Sequence, residues 1–302
     1  MVRMTDNLLD LIGNTPMVWL KKITGGNVFA KAEFLNPGGS VKDRVARWII
    51  GEAERDGILK PGSTIVEATS GNTGIGVALV GRLKGYPVTI VMPEDMSEER
   101  KKIIVALGAR LVLTPKEWGI TGAVREAERI ISDTPGAFKV GQFENPRNPE
   151  VHYRETGPEI WRDMEGRVDA FVAGVGSGGT LGGVGKFLKE RNRNIRIVAV
   201  EPENSAALLG REPGFHQIQG IGDGFIPPVL DVSLIDEVVT VTDDGAIETT
   251  RRLAREECIL AGTSSGANVW ASMQVGEKLG RDSRVATVLP DRAERYFSTS
   301  LL

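Results

Sequence analysis

Ala170-Phe171-Val172-Ala173-Gly174-Val175-Gly176-Ser177-Gly178-Gly179-Thr180 is the stretch whose reading decides the fold class. A short apolar run passes through a glycine-rich turn into a helical pattern, Thr180–Arg191. An uninterrupted apolar strand that enters a helix this way is a unit of a parallel sheet buried on both faces. The theme recurs along the chain. Strand patterns at Thr64–Glu67, Pro87–Met92, Arg110–Leu113 and Phe138–Val140 alternate with helical patterns at Asn72–Lys84, Ser97–Leu107 (opened by a serine cap) and Gly122–Ser132. Beyond a predicted helix at Pro149–Asp163, strands Ile195–Val200, Glu237–Val241 and Val285–Leu289 accompany helices Asp244–Cys258 and Ser265–Leu279. Such alternation specifies an α/β fold. The breaker Asn145-Pro146-Arg147-Asn148-Pro149 separates two such halves, predicting two doubly wound α/β domains with a cleft between them.

Composition narrows the function classes. A net charge of −3 over 302 residues gives no footprint for nucleic acid, and no apolar run reaches the length of a membrane span. The polar start at Met1–Asp10 has no signal-peptide core, so a cytoplasmic location is expected. A single cysteine excludes an internal disulfide; Cys258 falls within a helical pattern and reads as a buried structural thiol. The two histidines, His152 and His216, have no metal-ligand spacing, so no metal site is expected.

Four loops could carry chemistry. In Asn36-Pro37-Gly38-Gly39-Ser40-Val41-Lys42-Asp43-Arg44, Ser40 reads as the cap of a helix with Trp48, Ile49 and Ile50 on its apolar side. Lys42 then lies in the first turn, where the helix dipole disfavours the ammonium and favours the neutral amine needed for imine formation. A solvated surface lysine fits that stretch equally well. Thr69-Ser70-Gly71-Asn72-Thr73-Gly74 opens a helix with small hydroxyl residues, which suits a carboxylate or phosphate as well as it suits simple capping. Gly174–Gly179 satisfies G-x-G-x-x-G, with Glu201 ending the next strand as a ribose-binding acid would, so a nicotinamide or flavin dehydrogenase stands as a rival. Gly262-Thr263-Ser264-Ser265-Gly266 caps a helix or presents a hydroxyl to a ring nitrogen.

Taken together and in order, Asn36–Arg44, Thr69–Gly74, Gln142-Phe143-Glu144-Asn145-Pro146, Thr156-Gly157-Pro158-Glu159-Ile160-Trp161, Gly176–Thr180 and Gly262–Gly266 closely resemble the cysteine synthase (O-acetylserine sulfhydrylase) family. The likeness runs from Leu11-Ile12-Gly13-Asn14-Thr15-Pro16 to Glu294-Arg295-Tyr296-Phe297-Ser298-Thr299. It implies a fold type II pyridoxal-phosphate enzyme, similar to the tryptophan synthase β chain. The implied domains are residues 36–147 and 148–302, with residues 1–35 crossing to the C-terminal domain. The implied reaction is β-replacement, forming L-cysteine from O-acetyl-L-serine and sulfide through an aminoacrylate intermediate. Cystathionine β-synthase-like or O-phosphoserine activity stands as the alternative, and an inactive binding homologue as the reading from another class.

Carried over by residue, Lys42 is the Schiff-base lysine and Asn72 binds the cofactor's phenolic oxygen. Gly176, Ser177, Gly178, Gly179 and Thr180 cradle its phosphate, and Ser264 faces the pyridine nitrogen. Thr69, Ser70, Gly71, Asn72, Thr73 and Gln142 hold the substrate carboxylate. The resemblance also implies a homodimer, and A-type relatives receive the C-terminal tail of serine acetyltransferase. Features of both types occur here. Asp291-Arg292 and Glu67-Ala68-Thr69 look B-type, whereas Ile218–Phe225 looks A-type, with Asp223 where a small residue is expected. Arg292 is expected to pair with Asp291, the alternative being contact with an anionic substrate.

Overall fold

The computed structural model describes residues 4–299 and 301. The chain divides into two compact units, Met1–Gly13 with Asn36–Arg147 and Asn14–Leu35 with Asn148–Leu302. In chain order the elements are β1 (Met17–Trp19), α1 (Lys21–Thr24), β2 (Val28–Lys31), α2 (Lys42–Arg55), β3 (Ile65–Ala68), α3 (Asn72–Leu83), β4 (Val88–Pro93), α4 (Glu98–Ala106), β5 (Arg110–Thr114), α5 (Gly119–Ser132) and β6 (Phe138–Lys139). They continue with α6 (Arg147–Val151), α7 (Gly157–Asp163), β7 (Ala170–Gly174), α8 (Gly179–Arg191), β8 (Arg196–Pro202), β9 (Glu237–Val241), α9 (Asp243–Glu257), α10 (Thr263–Leu279) and β10 (Val285–Val288).

The first unit holds a parallel sheet in the order β5-β4-β3-β6. β3 and β4 are buried at every position, so both faces need helical cover. α5 turns Ala123 and Ala127 onto Val66, Ala68 and Val91. α3 lies close to the strands because its glycines remove side chains. A Cβ at Gly81 would stand 2.6 Å from Val88, and one at Gly74 would stand 2.9 Å from Ile90.

The second unit holds six strands in the order β1-β2-β10-β7-β8-β9, all parallel except the edge pair β1–β2. Its core has two layers. Leu253 of α9 and Ala267, Ala271 and Val275 of α10 cover one face of the sheet; Ile160 of α7 and Leu181, Val184 and Leu188 of α8 cover the other. Each such Leu, Ile or Val side chain contributes about 1.5–3 kcal/mol by leaving water. Lys31, fully buried at the end of β2, pairs with Glu159 and Asp163 of α7 at 3.0 Å each and donates to the Thr15 carbonyl. That cluster fastens the Asn14–Leu35 segment to its unit.

The structure departs from the sequence reading in several places, α1 among them. β1 was not foreseen. The helix expected over Pro149–Asp163 is interrupted by a π turn, His152–Thr156, between α6 and α7. Pro158 supplies the reason, since it lacks an N–H and crowds the carbonyl four residues before it. Ser97 does not cap α4; its hydroxyl accepts instead from Arg100 at 3.4 Å. Cys258 is exposed rather than buried, because α9 ends at Glu257 and Cys258 takes a left-handed conformation (φ 58°) at its C-cap, ending the buried pattern.

Candidate active site

In the first unit, the Asn36–Arg44 loop is locked by its own polar groups. Asp43 accepts the Gly38 amide at 2.5 Å, the Asn36 side chain accepts that of Gly13 at 2.9 Å, and the Ser40 hydroxyl accepts that of Lys42 at 3.2 Å. The Ser40 hydroxyl thus satisfies the amide of Lys42, the first residue of α2, although Val41 and not Ser40 occupies the position before the helix. The Lys42 carbonyl lies against α3, where a Cβ at Gly76 would stand only 2.9 Å from it. Asn72 is four residues before Gly76 and shares its face of the helix. The close approach of α2 and α3 thus brings Lys42 and Asn72 to the same side of this unit.

The loop between β3 and α3 follows directly. Thr69 is buried, and its hydroxyl accepts the Gly71 amide at 3.0 Å. The Thr73 hydroxyl donates to the Gln142 side-chain oxygen at 2.6 Å, so the turn after β6 joins this loop. Two charged residues beside it escaped the sequence reading. Arg100 of α4 is 1% exposed and packs so near Gly71 that a Cβ there would meet its Nε at 2.5 Å. A buried guanidinium beside first-turn N–H groups favours an anion. Glu67, 2% exposed, accepts the amides of Gly141 at 2.8 Å and Gln142 at 3.3 Å. Burial pushes its carboxyl up to about 7, against the lowering effect of those two amides.

In the second unit, the Val175–Gly178 turn carries the chain from β7 into α8. Gly178 has φ 78°, which suits glycine, and a Cβ at Gly176 would stand 2.3 Å from the Gly220 carbonyl. The turn is held from below by residues near α6. Asn148, fully buried, donates to the Ser177 hydroxyl at 3.0 Å. His152, in the π turn, lies 2.9 Å from the Thr156 hydroxyl and 3.2 Å from that of Thr180. Neither residue was assigned a role from sequence, because their partners lie 28 and 29 positions away. The first-turn N–H groups of α8 have no intrahelical acceptors, so turn and helix end form an anion cradle.

α10 is aligned with this cradle through Asn268, whose side chain accepts the Gly174 amide at 2.7 Å and donates to the Val288 carbonyl at 2.9 Å. Ser264, one turn earlier on the same face, is thereby directed toward the carboxyl ends of β7 and β10. The hydroxyls of Thr263 and Ser265 are buried without a hydrogen-bond partner. Glu201 accepts the Leu208 amide through both oxygens, at 3.3 and 3.1 Å, and acts as a turn cap rather than a ribose ligand. The expected Asp291–Arg292 pairing is replaced. Arg292 donates through Nε to the Phe34 carbonyl at 2.8 Å, and Asp291 accepts from the Tyr296 hydroxyl.

Comparison with known proteins agrees with these features. The family model described as "Pyridoxal-phosphate dependent enzyme" matches residues 8–291. A cysteine synthase of Staphylococcus aureus is 52% identical over 300 residues, covering 98% of this chain and 96% of the relative. Among solved structures, an O-ureido-L-serine synthase superposes with TM-score 0.96 at 44% identity, covering 99% of this chain and 95% of that one. A cysteine synthase from Entamoeba histolytica superposes with TM-score 0.94 at 42% identity, covering 99% and 91%.

Proposed function

Because the chain belongs to the pyridoxal-phosphate-dependent enzyme family, we propose a reading in which it is a cysteine synthase that forms L-cysteine from O-acetyl-L-serine and sulfide, with pyridoxal phosphate as cofactor. The observation that carries the assignment of the site is the placement of Lys42 at the start of α2, on the side of α3 that presents Asn72.

The residues present fit the cofactor. A glycine-walled cradle that a Cβ would fill suits its phosphate, and the buried, partnerless hydroxyls of Thr263 and Ser265 flank the serine assigned to its ring. When bound, pyridoxal phosphate supplies the electron sink that acidifies the substrate's α C–H and lets the β-substituent leave. Gly176, Ser177, Gly178, Gly179 and Thr180 hold the phosphate, with Ser177 and Thr180 oriented by Asn148 and His152. Asn72 binds the phenolic oxygen and Ser264 the ring nitrogen. A serine hydroxyl cannot keep that nitrogen protonated as a carboxylate would, which suits loss of a β-substituent. Thr69, Ser70, Gly71, Asn72, Thr73 and Gln142 hold the α-carboxylate, in the field of Arg100. Lys42 carries the cofactor through its amine. Its amine, when free, would serve as the general base that takes the substrate's α-proton and later returns it.

The enzyme acts as a homodimer in the cytoplasm, and the tail of a serine acetyltransferase is its candidate protein partner. Among the described residues no helix is long and apolar enough to cross a membrane.

The purified protein tests the cofactor and substrate reading by its visible absorbance. A cofactor band that changes with O-acetyl-L-serine and reverts on adding sulfide, with L-cysteine formed, is the expected result. A band that ignores O-acetyl-L-serine and answers O-phospho-L-serine reassigns the substrate. No band after incubation with pyridoxal phosphate overturns the reading.

A further inference from the structure

β3 and β6 pair in parallel only as far as Val66↔Lys139, so the amides of Gly141 and Gln142 lie beyond the ladder. A buried N–H without an acceptor is costly. Glu67, the next residue of β3 and 2% exposed, fills the gap by accepting Gly141 N at 2.8 Å and Gln142 N at 3.3 Å, one through each oxygen. On its sequence-adjacent side Glu67 leads into the Thr69–Thr73 loop. On the other, the Gln142 side chain is gripped by Thr73 at 2.6 Å. The carboxylate therefore closes a ring through Gln142, Thr73 and its own strand.

We propose that Glu67 is a positioning residue for recognition of the substrate's α-carboxylate, holding the Gly141–Gln142 backbone so that Gln142 stays in register with the Thr69–Thr73 loop. The inference rests on the assignment of those residues to the substrate carboxylate. Ionised, Glu67 accepts one amide strongly through each oxygen; protonated, it turns an O–H toward one of the N–H donors and the grip loosens. The charged groups acting on it are Lys139 of β6, which lowers its carboxyl, and Glu144 of the following turn, which raises it; the two pair with each other at 2.7 Å. Burial is the dominant influence and raises its carboxyl to about 7. The titration thus falls where a cytoplasmic enzyme works, and protonation and substrate binding oppose each other.

The test is initial-rate kinetics of the cofactor-loaded wild type and of Glu67→Gln from pH 6 to 8, with O-acetyl-L-serine and sulfide. For the wild type, KM for O-acetyl-L-serine is expected to be level above about pH 7 and to rise below it, by up to about tenfold per unit, while kcat changes little. In E67Q, KM at pH 8 is expected to be about 10–100-fold higher, kcat within about threefold, and the rise below pH 7 lost. A second readout is thermal melting. Because the raised carboxyl makes wild-type stability fall as pH rises from about 4.5 to about 7, the melting temperature of E67Q relative to wild type is expected to climb over that window and then level. A wild-type KM independent of pH, or an E67Q enzyme with wild-type KM and profile, overturns the proposal while leaving the enzyme assignment standing. Absence of any turnover or cofactor band in the wild type overturns the assignment beneath it. If E67Q fails to fold, the wild-type profile alone decides.

Discussion

Replacing Gly176 by alanine tests the phosphate cradle where it has least room. The added Cβ would stand 2.3 Å from the Gly220 carbonyl oxygen, 1.1 Å short of the 3.4 Å at which ordinary contact begins. The obstacle is backbone and cannot rotate away, so the turn or the opposing segment must shift by about an ångström. A hydrogen bond stretched by that amount is largely lost. Bonds from N–H groups to a charged acceptor contribute about 1.5–3 kcal/mol each, so losing two removes about 3–6 kcal/mol. That corresponds to a Kd for pyridoxal phosphate weaker by between about a hundredfold and ten-thousandfold. The assay is titration of the resolved apoprotein with pyridoxal phosphate, followed by visible absorbance, with circular dichroism to establish folding. Gly182→Ala is the control. It lies in α8, its Cβ would meet nothing closer than 3.5 Å, and it should leave Kd unchanged while stabilising the helix by up to about 1 kcal/mol. A folded G176A protein whose Kd is within about threefold of wild type refutes the cradle assignment.

Three further outcomes are expected. Lys42→Ala should abolish both turnover and the absorbance of lysine-bound cofactor; sulfide-dependent cysteine formation surviving in that variant would sink the mechanism. Thr73→Val keeps the shape but removes the donor 2.6 Å from Gln142, so KM for O-acetyl-L-serine should rise about 5–100-fold, with kcat less affected, in initial-rate measurements. Lys31→Met leaves Glu159 and Asp163 without their buried cation and should cost about 3–5 kcal/mol, lowering the calorimetric melting temperature by about 6–20 °C. In the double variant Lys31→Met/Glu159→Gln, part of that loss should return, because one uncompensated charge is gone.

The loops proposed to form the site stand out in the sequence because they lie at strand ends. There the chemistry is local: a glycine turn ahead of a helix, a hydroxyl at a helix start, a lysine in a first turn. Asn36–Arg44, Thr69–Gly74, Gly174–Thr180 and Gly262–Gly266 announce themselves in this way, and the alternation of strand and helix patterns around them specifies parallel sheets. Local reasoning also misled. Cys258 reads as the next buried position of a helical pattern, yet the helix stops one residue before it and the thiol is exposed.

What only the tertiary structure decided is which polar groups support the loops from behind. Arg100 reads in sequence as one charge among several on a surface helix, and only the packing of α4 beside Gly71 buries it. His152 gains its place from a π turn and an acceptor 28 residues away; Glu67 gains its role from two amides more than 70 residues away. A sequence pattern registers the periodicity and turn chemistry of neighbouring residues. It carries no record of which distant N–H is left without a strand partner once the sheet has formed. That partner is chosen by burial, where an unmet hydrogen bond becomes costly, and burial exists only in the folded chain.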